Sequence, residues 1–208
     1  MLFSKKDLTS LPSRTRANLI NKMAGFKSPV LVGTVNNNGQ NNLSIVSSLV
    51  HLGSSPGLLG MNLRPRTKLY SHTLKNIERK KQFTVSFIDK SIYKKSHLCS
   101  AKLPANESEF KYSGLTPEFH KIANWDTPHV AESKIQIGLE LSDTFQLKNK
   151  CNFIVGEISW IKISDSLLES TFDLKRLENH ISILGLYEYY EVKFIEKLMY
   201  VNVDTSVD

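Results

Sequence analysis

The chain has 208 residues, of which 40% are hydrophobic and 23% charged, a composition that suits a single domain with a substantial core. Its formal net charge of +7 and pI near 9.3 would admit a nucleic-acid partner; the basic residues, however, stand in short separate clusters (Lys5-Lys6, Arg64 to Lys68, Arg79 to Lys81, Lys94-Lys95) without interleaved aromatics, which argues against one. No apolar run approaches the ~20 residues that cross a bilayer, the N-terminus carries no secretory h-region, and Cys99 and Cys151 make no disulfide framework, so a reduced, cytoplasmic protein with no membrane partner is expected.

Residues 13–25 predict a short amphipathic helix with Ala17, Ile20 and Ala24 near one face and Gly25 as its stop. Pro29 to Val35 is β-branched and ends at Asn36-Asn37-Asn38-Gly39, a strong hairpin turn, after which a second strand runs from Asn42 to Val50. Gly57 to Leu63 predicts a third strand, Ser71 to Lys81 a helix, and Gln82 to Ile88 a return to strand. Short helices are expected around Ser91–Ser100, Ser108–Ser113 and Thr116–Ala123. Two long strands follow, Lys134–Leu147 and Cys151–Ile163, then a weak helix over Asp173–Glu178 and a Tyr-rich segment from Tyr187 to Tyr200. No repeat or low-complexity linker divides the chain, so residues 1–208 read as one domain with a C-terminal extension over about 164–208. Consecutive antiparallel strands with one inserted helix favour a mainly β barrel with peripheral helices over a βαβ sheet.

The most informative chemistry lies between Arg64 and Asn76, where a strand end runs into a helix start carrying Ser71, His72 and Thr73. A helix N-terminus offers unpaired N–H groups and the positive end of its dipole, and Arg64, Arg66, Lys68 and Thr73 add donors suited to a phosphate monoester. The alternative is that Ser71 only caps the helix while the cations face water. In the strand from Asn42, period-two alternation puts Asn42, Ser44 and Ser48 on one face and Leu43, Ile45 and Leu49 on the other. The polar face could hydrogen-bond a flat heteroaromatic, or simply meet solvent. His97 and Lys94-Lys95-Ser96 are further candidates. The six histidines show no metal-ligand spacing, and no Walker loop, nucleophile elbow, zinc motif or dinucleotide fingerprint occurs.

Several stretches in order resemble the flavin reductase-like, FMN-binding split-barrel family: Asn42 to Gly60, Arg64-Pro65, His72 to Ile77, Ser96 to Ala101, Ser108 to Phe110 with Gly114 to Thr116, Val155 to Ile158, and Gly185 to Tyr190. The likeness covers roughly residues 12–200. It implies a Greek-key split β-barrel, a homodimer, and FMN near the subunit interface. Asn42, Ser44, Ser47 and Ser48 would lie along the flavin ring and ribityl chain, and Arg64, Thr73 and Asn76 would hold the phosphate. Lys95, Ser96 and His97 match a later segment that approaches the cofactor in some members.

The chain departs from the pattern twice. Many members carry Gly-Asp-His where this one has Asn149-Lys150-Cys151, and a lysine where Glu109 precedes Phe110. Two readings therefore stand. One is an FMN-dependent oxidoreductase taking hydride from NADH or NADPH at flavin N5. The other is a non-enzymatic FMN-binding or electron-carrying protein without nicotinamide turnover. Dimerisation is expected through the Tyr187–Tyr190 cluster and an apolar strand over Val192–Val201, unless these complete the monomer's own barrel.

Overall fold

The computed structural model describes residues 1–65, 72–104, 106–122, 124–170, 173–175, 177 and 179–199. Two helices, α1 (Lys5–Ser10) and α2 (Ser13–Met23), precede a hairpin of β1 (Val30–Val35) and β2 (Asn41–Val46). The hairpin turn forms because the Asn36 side-chain oxygen accepts the N–H groups of Asn38 and Gln40, both at 2.9 Å, while Gly39 takes φ +75°. Next come β3 (Val50–Ser54), β4 (Gly57–Leu63), α3 (His72–Lys80) and β5 (Gln82–Phe87). The middle of the chain holds α4 (Tyr93–Leu98), α5 (Glu109–Ser113) and the short pair β6 (Pro117–Glu118) and β7 (His129–Val130). The long hairpin β8 (Ile135–Gln146) and β9 (Asn152–Ile163) follows, then β10 (Leu168–Ser170), β11 (Asp173–Leu174), β12 (Ile181–Leu184) and β13 (Glu188–Glu191).

Seven strands form one antiparallel sheet in the order β2-β1-β5-β8-β9-β4-β3. Its two outer strands, β2 and β3, are consecutive in the chain and joined only by Ser47, Ser48 and Leu49. In a flat sheet six strand spacings would separate them by about 28 Å, whereas that link spans about 14 Å at full extension. The sheet must therefore curl until its edges meet, which makes it a barrel, split where β2 and β3 fail to ladder. Ser48 stands at that seam and makes two bonds to the Asn62 backbone, donating to its C=O at 3.1 Å and accepting from its N–H at 3.0 Å.

β1 is buried along its whole length, because both of its faces are covered. Val30 and Val32 point into the barrel with Val46, Met61, Phe83, Val85, Leu139 and Ile154, and α3 adds Leu74 and Ile77 to cap that interior. Leu31 and Leu43 face outward against Ile92, Cys99, Phe110, Leu115 and Ile181, which seats α4, α5 and β12 outside. Each such side chain contributes about 1.5–3 kcal/mol on full burial. No helix among the described residues is long and apolar enough to cross a membrane.

Five expectations change. The strand from Asn42 to Val50 breaks at residues 47–49 into β2 and β3. Thr116–Ala123 is not a helix: Pro117–Glu118 pairs with His129–Val130, and residue 123 lies outside the described set. Asp173–Leu174 pairs with β10 where a weak helix was expected, with 176 and 178 outside the described residues. Among the described residues of the Tyr-rich segment only Glu188–Glu191 is strand; Val192–Met199 joins no strand, and residues 200 and 201 of the expected strand lie outside the described set. In α2 the half-buried side chains are Arg16, Leu19 and Asn21, whereas Ala17, Ile20 and Ala24 are exposed. An additional helix, α1, begins with a reciprocal cap between Ser4 and Asp7.

Candidate functional site

Five side chains meet where α3 packs over the β1–β2 hairpin. The hairpin register sets Thr34 opposite Asn42. Asn42 Nδ2 donates to Thr34 Oγ1 at 3.2 Å and to Thr73 Oγ1 at 3.3 Å. Thr73 Oγ1 donates onward to Ser44 Oγ at 3.0 Å, and Asn76 Nδ2 donates to Thr34 Oγ1 at 3.1 Å. Thr34, Asn42 and Asn76 are buried, whereas Ser44 and Thr73 are half-buried and form the open side of the group. Thr73 is the second residue of α3, whose first turn holds backbone N–H groups free of intrahelical partners. The polar face of β2 is thus not a solvent face; it lies against α3.

Further along the same strand, Ser47 and Ser48 are half-buried at the barrel seam. The Asn62 side-chain oxygen, next to the Ser48 contact, is buried with no hydrogen-bond partner among the described residues. Arg64 is exposed just past the end of β4. Arg66, Lys68 and Ser71 lie outside the described residues.

The outer edge of β2 is covered by the start of α5. The Leu43 N–H donates to Glu109 Oε2 at 3.0 Å, and Ser108 Oγ donates to the Asn41 carbonyl at 2.6 Å. Glu109 is 8% exposed. Burial raises its carboxyl above the usual carboxylate range, against the opposing pull of the Leu43 N–H, its own N–H and the nearby His72.

Lys95, Ser96 and His97 stand apart in α4. Lys95 Nζ donates to the Gly114 carbonyl at 3.1 Å, and the fully buried Ser96 donates from Oγ to the Ile92 carbonyl at 2.9 Å, within its own helix. His97 Nδ1 and the Tyr189 hydroxyl share a hydrogen bond of 3.0 Å. Burial pushes that phenol up to about 12, so it stays protonated at neutral pH. None of these bonds reaches Asn42, Ser44 or Thr73; α4 packs on α5, which packs on β2. The structure therefore joins Asn42, Ser44 and Thr73 directly and Asn76 through Thr34, sets Ser47 and Ser48 at the seam with Arg64 exposed past the end of β4, and leaves the α4 residues separate.

A cavity of about 160 Å³ elsewhere in the molecule is lined by Asp89, Lys134, Lys175 and His180 among others, and contains none of the candidates. No group of three or more His, Cys, Asp or Glu side chains among the described residues could hold a metal.

The donor set around Thr73 fits a flavin nucleotide in kind. Hydroxyls at a helix start suit a phosphate, and an amide, serine hydroxyls and the orphaned Asn62 oxygen suit a ring bearing an N–H, carbonyls and a polyol chain. Sequence reading missed Thr34, Asn62 and Ser108, and noted Glu109 only as a departure. Thr34 had a usable signal, since a hairpin turning at Asn36–Gly39 sets it opposite Asn42. Asn62 and Glu109 had none, because their roles depend on barrel closure and on where α5 docks.

The family model for the flavin reductase-like domain matches residues 23–184. A solved structure from Shewanella frigidimarina NCIMB 400, assigned as a flavin reductase with a split barrel domain, is 37% identical, with TM-score 0.88, covering 97% of this chain and 100% of that one. Nitrilotriacetate monooxygenase component B from Bacillus cereus superposes with TM-score 0.84 at 20% identity, over 95% of this chain and 98% of its own. The 2-nitrobenzoate 2-nitroreductase of Pseudomonas fluorescens does so with TM-score 0.79 at 20% identity, over 100% and 98%. The last two show the shared fold alone. With a split barrel, a polar cluster at the start of α3 and a family match across most of its length, this chain belongs to the flavin reductase-like domain family.

Proposed function

We propose that the chain is an FMN-binding flavoprotein acting as an NAD(P)H-dependent, flavin reductase-like oxidoreductase. The observation that carries this reading is the network joining Thr73, at the open start of α3, to Asn42 and Ser44 on β2. Bound there, FMN would supply a hydride acceptor at its N5, with NADH or NADPH as donor. Thr73, the first N–H groups of α3 and Arg64 hold the phosphate, and Asn76 supports them through Thr34. Asn42, Ser44, Ser47 and Ser48 line the ribityl chain and ring. Lys95, Ser96 and His97 of α4 bond Gly114, Ile92 and Tyr189 instead of this network and take no part in holding the FMN.

Absorbance between ~350 and ~500 nm, recorded after FMN addition and again after NADPH or NADH, tests the reading because flavin bands report oxidation state. Expected are FMN uptake, bleaching by a reduced nicotinamide, and about tenfold weaker uptake by Thr73→Val, which keeps the shape but loses the hydroxyl. A chain that takes up no FMN overturns the proposal. Bleaching by dithionite but not by nicotinamides selects the electron-carrier reading, which Cys151 favours. It sits in the β8–β9 turn, where many family members have histidine.

A cytoplasmic homodimer belongs to the same proposal. Ile20, Met23, Tyr187 and Ile195 are large apolar side chains between 53% and 89% exposed, surface that a second copy could cover. A monomeric mass in sedimentation at micromolar concentration overturns it.

A further inference from the structure

β2 is the outer strand of the sheet, so its alternate backbone groups point away from β1 and lack a ladder partner. Leu43 N–H and the Asn41 carbonyl are two of these groups. They are taken by Glu109 Oε2 at 3.0 Å and Ser108 Oγ at 2.6 Å, so the start of α5 does along this edge what a further strand would do. Leu43 lies between Asn42 and Ser44, the two β2 residues that bond Thr73. A carboxylate 8% exposed in this position is unusual, because burial opposes its charge and a shorter polar side chain could satisfy one N–H. The groups facing it are His72 at the start of α3, Cys99 after α4 and its own backbone N–H.

We propose that Glu109 is a positioning residue for the flavin site, holding the Asn42–Ser44 stretch of β2 at the height where both side chains meet Thr73. It touches no flavin. Its carboxylate fixes the backbone between the two residues that do, and Ser108 anchors the same edge one step earlier. What the site requires from position 109 is a hydrogen-bond acceptor, not a charge. This inference rests on the proposed flavin site.

The test measures FMN dissociation constants by quenching of flavin fluorescence, together with amide exchange at Leu43, in full-length Glu109→Gln, Glu109→Leu and Glu109→Lys. Glutamine keeps an acceptor oxygen, and leucine and lysine have none. Expected is FMN binding within about threefold of wild type for Glu109→Gln, and about tenfold or more weaker for Glu109→Leu and Glu109→Lys, with faster Leu43 exchange in the latter two. Ser108→Ala, which cuts the neighbouring bond and leaves Glu109 in place, is expected to weaken binding by about threefold and serves where a Glu109 variant fails to fold. Unchanged affinity in folded Glu109→Leu, unchanged affinity in Ser108→Ala, or equal losses in the glutamine and leucine variants overturns the proposal. Failure of wild-type protein to bind FMN is a separate result: it removes the flavin reading itself, and the inference with it.

Discussion

His129 is 1% exposed, and its Nε2 lies 2.9 Å from a Glu118 oxygen that also accepts from Lys162 at 2.7 Å. Burial lowers the imidazole's affinity for a proton, and the Glu118 contact offsets only part of that. His180, whose Nε2 is 2.6 Å from the Ser28 hydroxyl, is lowered by burial as well. Both rings are therefore neutral in the folded protein at pH 7, whereas in the unfolded chain they protonate near the ordinary value of 6.5. Below that pH the unfolded state binds more protons, so stability is full above about 6.5 and declines as the pH falls towards the folded values. Thermal melts between about pH 8 and about pH 5.5 should show a falling midpoint, and His129→Gln should flatten the fall. Glu109 acts with the opposite sign, since burial raises its carboxyl and its deprotonation opposes folding as the pH rises through its folded value. It is common to both proteins, so the difference between them isolates the histidine. Equal slopes in wild type and variant would exclude His129 as a source of the pH dependence.

Strands β8 and β9 pair along most of their length, and Gly138 sits opposite Trp160. A Cβ at Gly138 would lie 2.0 Å from the Trp160 Nε1, so the indole occupies the space a side chain would need. Trp160 in turn packs edge-on against Trp125 and His120, at 5.6 and 4.9 Å between ring centres, which fixes the covering segment around Trp125 to the outside of the barrel. Gly138→Ala should destabilise by about 1–3 kcal/mol through overpacking. In the background of Trp160→Phe, a smaller ring, the cost should fall below about 1 kcal/mol, and denaturant midpoints of the four proteins measure that coupling. Additive losses would show that the clash is with something other than the indole. Elements of this kind divide by how local their cause is. Gly57–Leu63 forms the expected strand, and β8 and β9 fall within a residue of their expected bounds, because alternation and a short polar turn are written in adjacent residues. Pro117–Glu118 is extended only because it meets His129–Val130, a pairing of distant residues that no helical period reports. The candidate site divides the same way. Thr73 at a helix start and the polar face of β2 were legible, whereas the Glu109 contact needs α5 docked on a strand edge 66 residues earlier.

At the scale of the molecule, one short link decides the architecture: the chain leaves the sheet at β2 and re-enters it at β3, on the opposite edge, within three residues. The alternation that suggested one unbroken strand lapses at Val46 and Ser47, but that lapse does not say the chain crosses to the opposite edge, which only the strand order shows. Closure then depends on groups at the seam, and Ser48 supplies both a donor and an acceptor to the Asn62 backbone. Removing its hydroxyl leaves an N–H and a C=O of β4 without that partner, at a cost of about 1–3 kcal/mol if water cannot replace it. Ser48→Ala should therefore lower the melting midpoint by several degrees, on the order of 2–4 °C per kcal/mol for a chain of this size. The pattern of the loss matters more than its size. Because the seam ties β4, and through it β3, to the end of β2, amide exchange should accelerate in β2, β3 and β4 together, while β5, β8 and the groups of β9 bonded to β8 stay protected. Ser47→Ala, one residue earlier and without a bond across the seam, should change neither measurement by more than about 0.5 kcal/mol. Acceleration confined to β4 would mean that the barrel is held shut elsewhere. A joint response of the strands on both sides would make the Ser48–Asn62 contact the clasp of the barrel, placed beside the residues proposed to line the flavin.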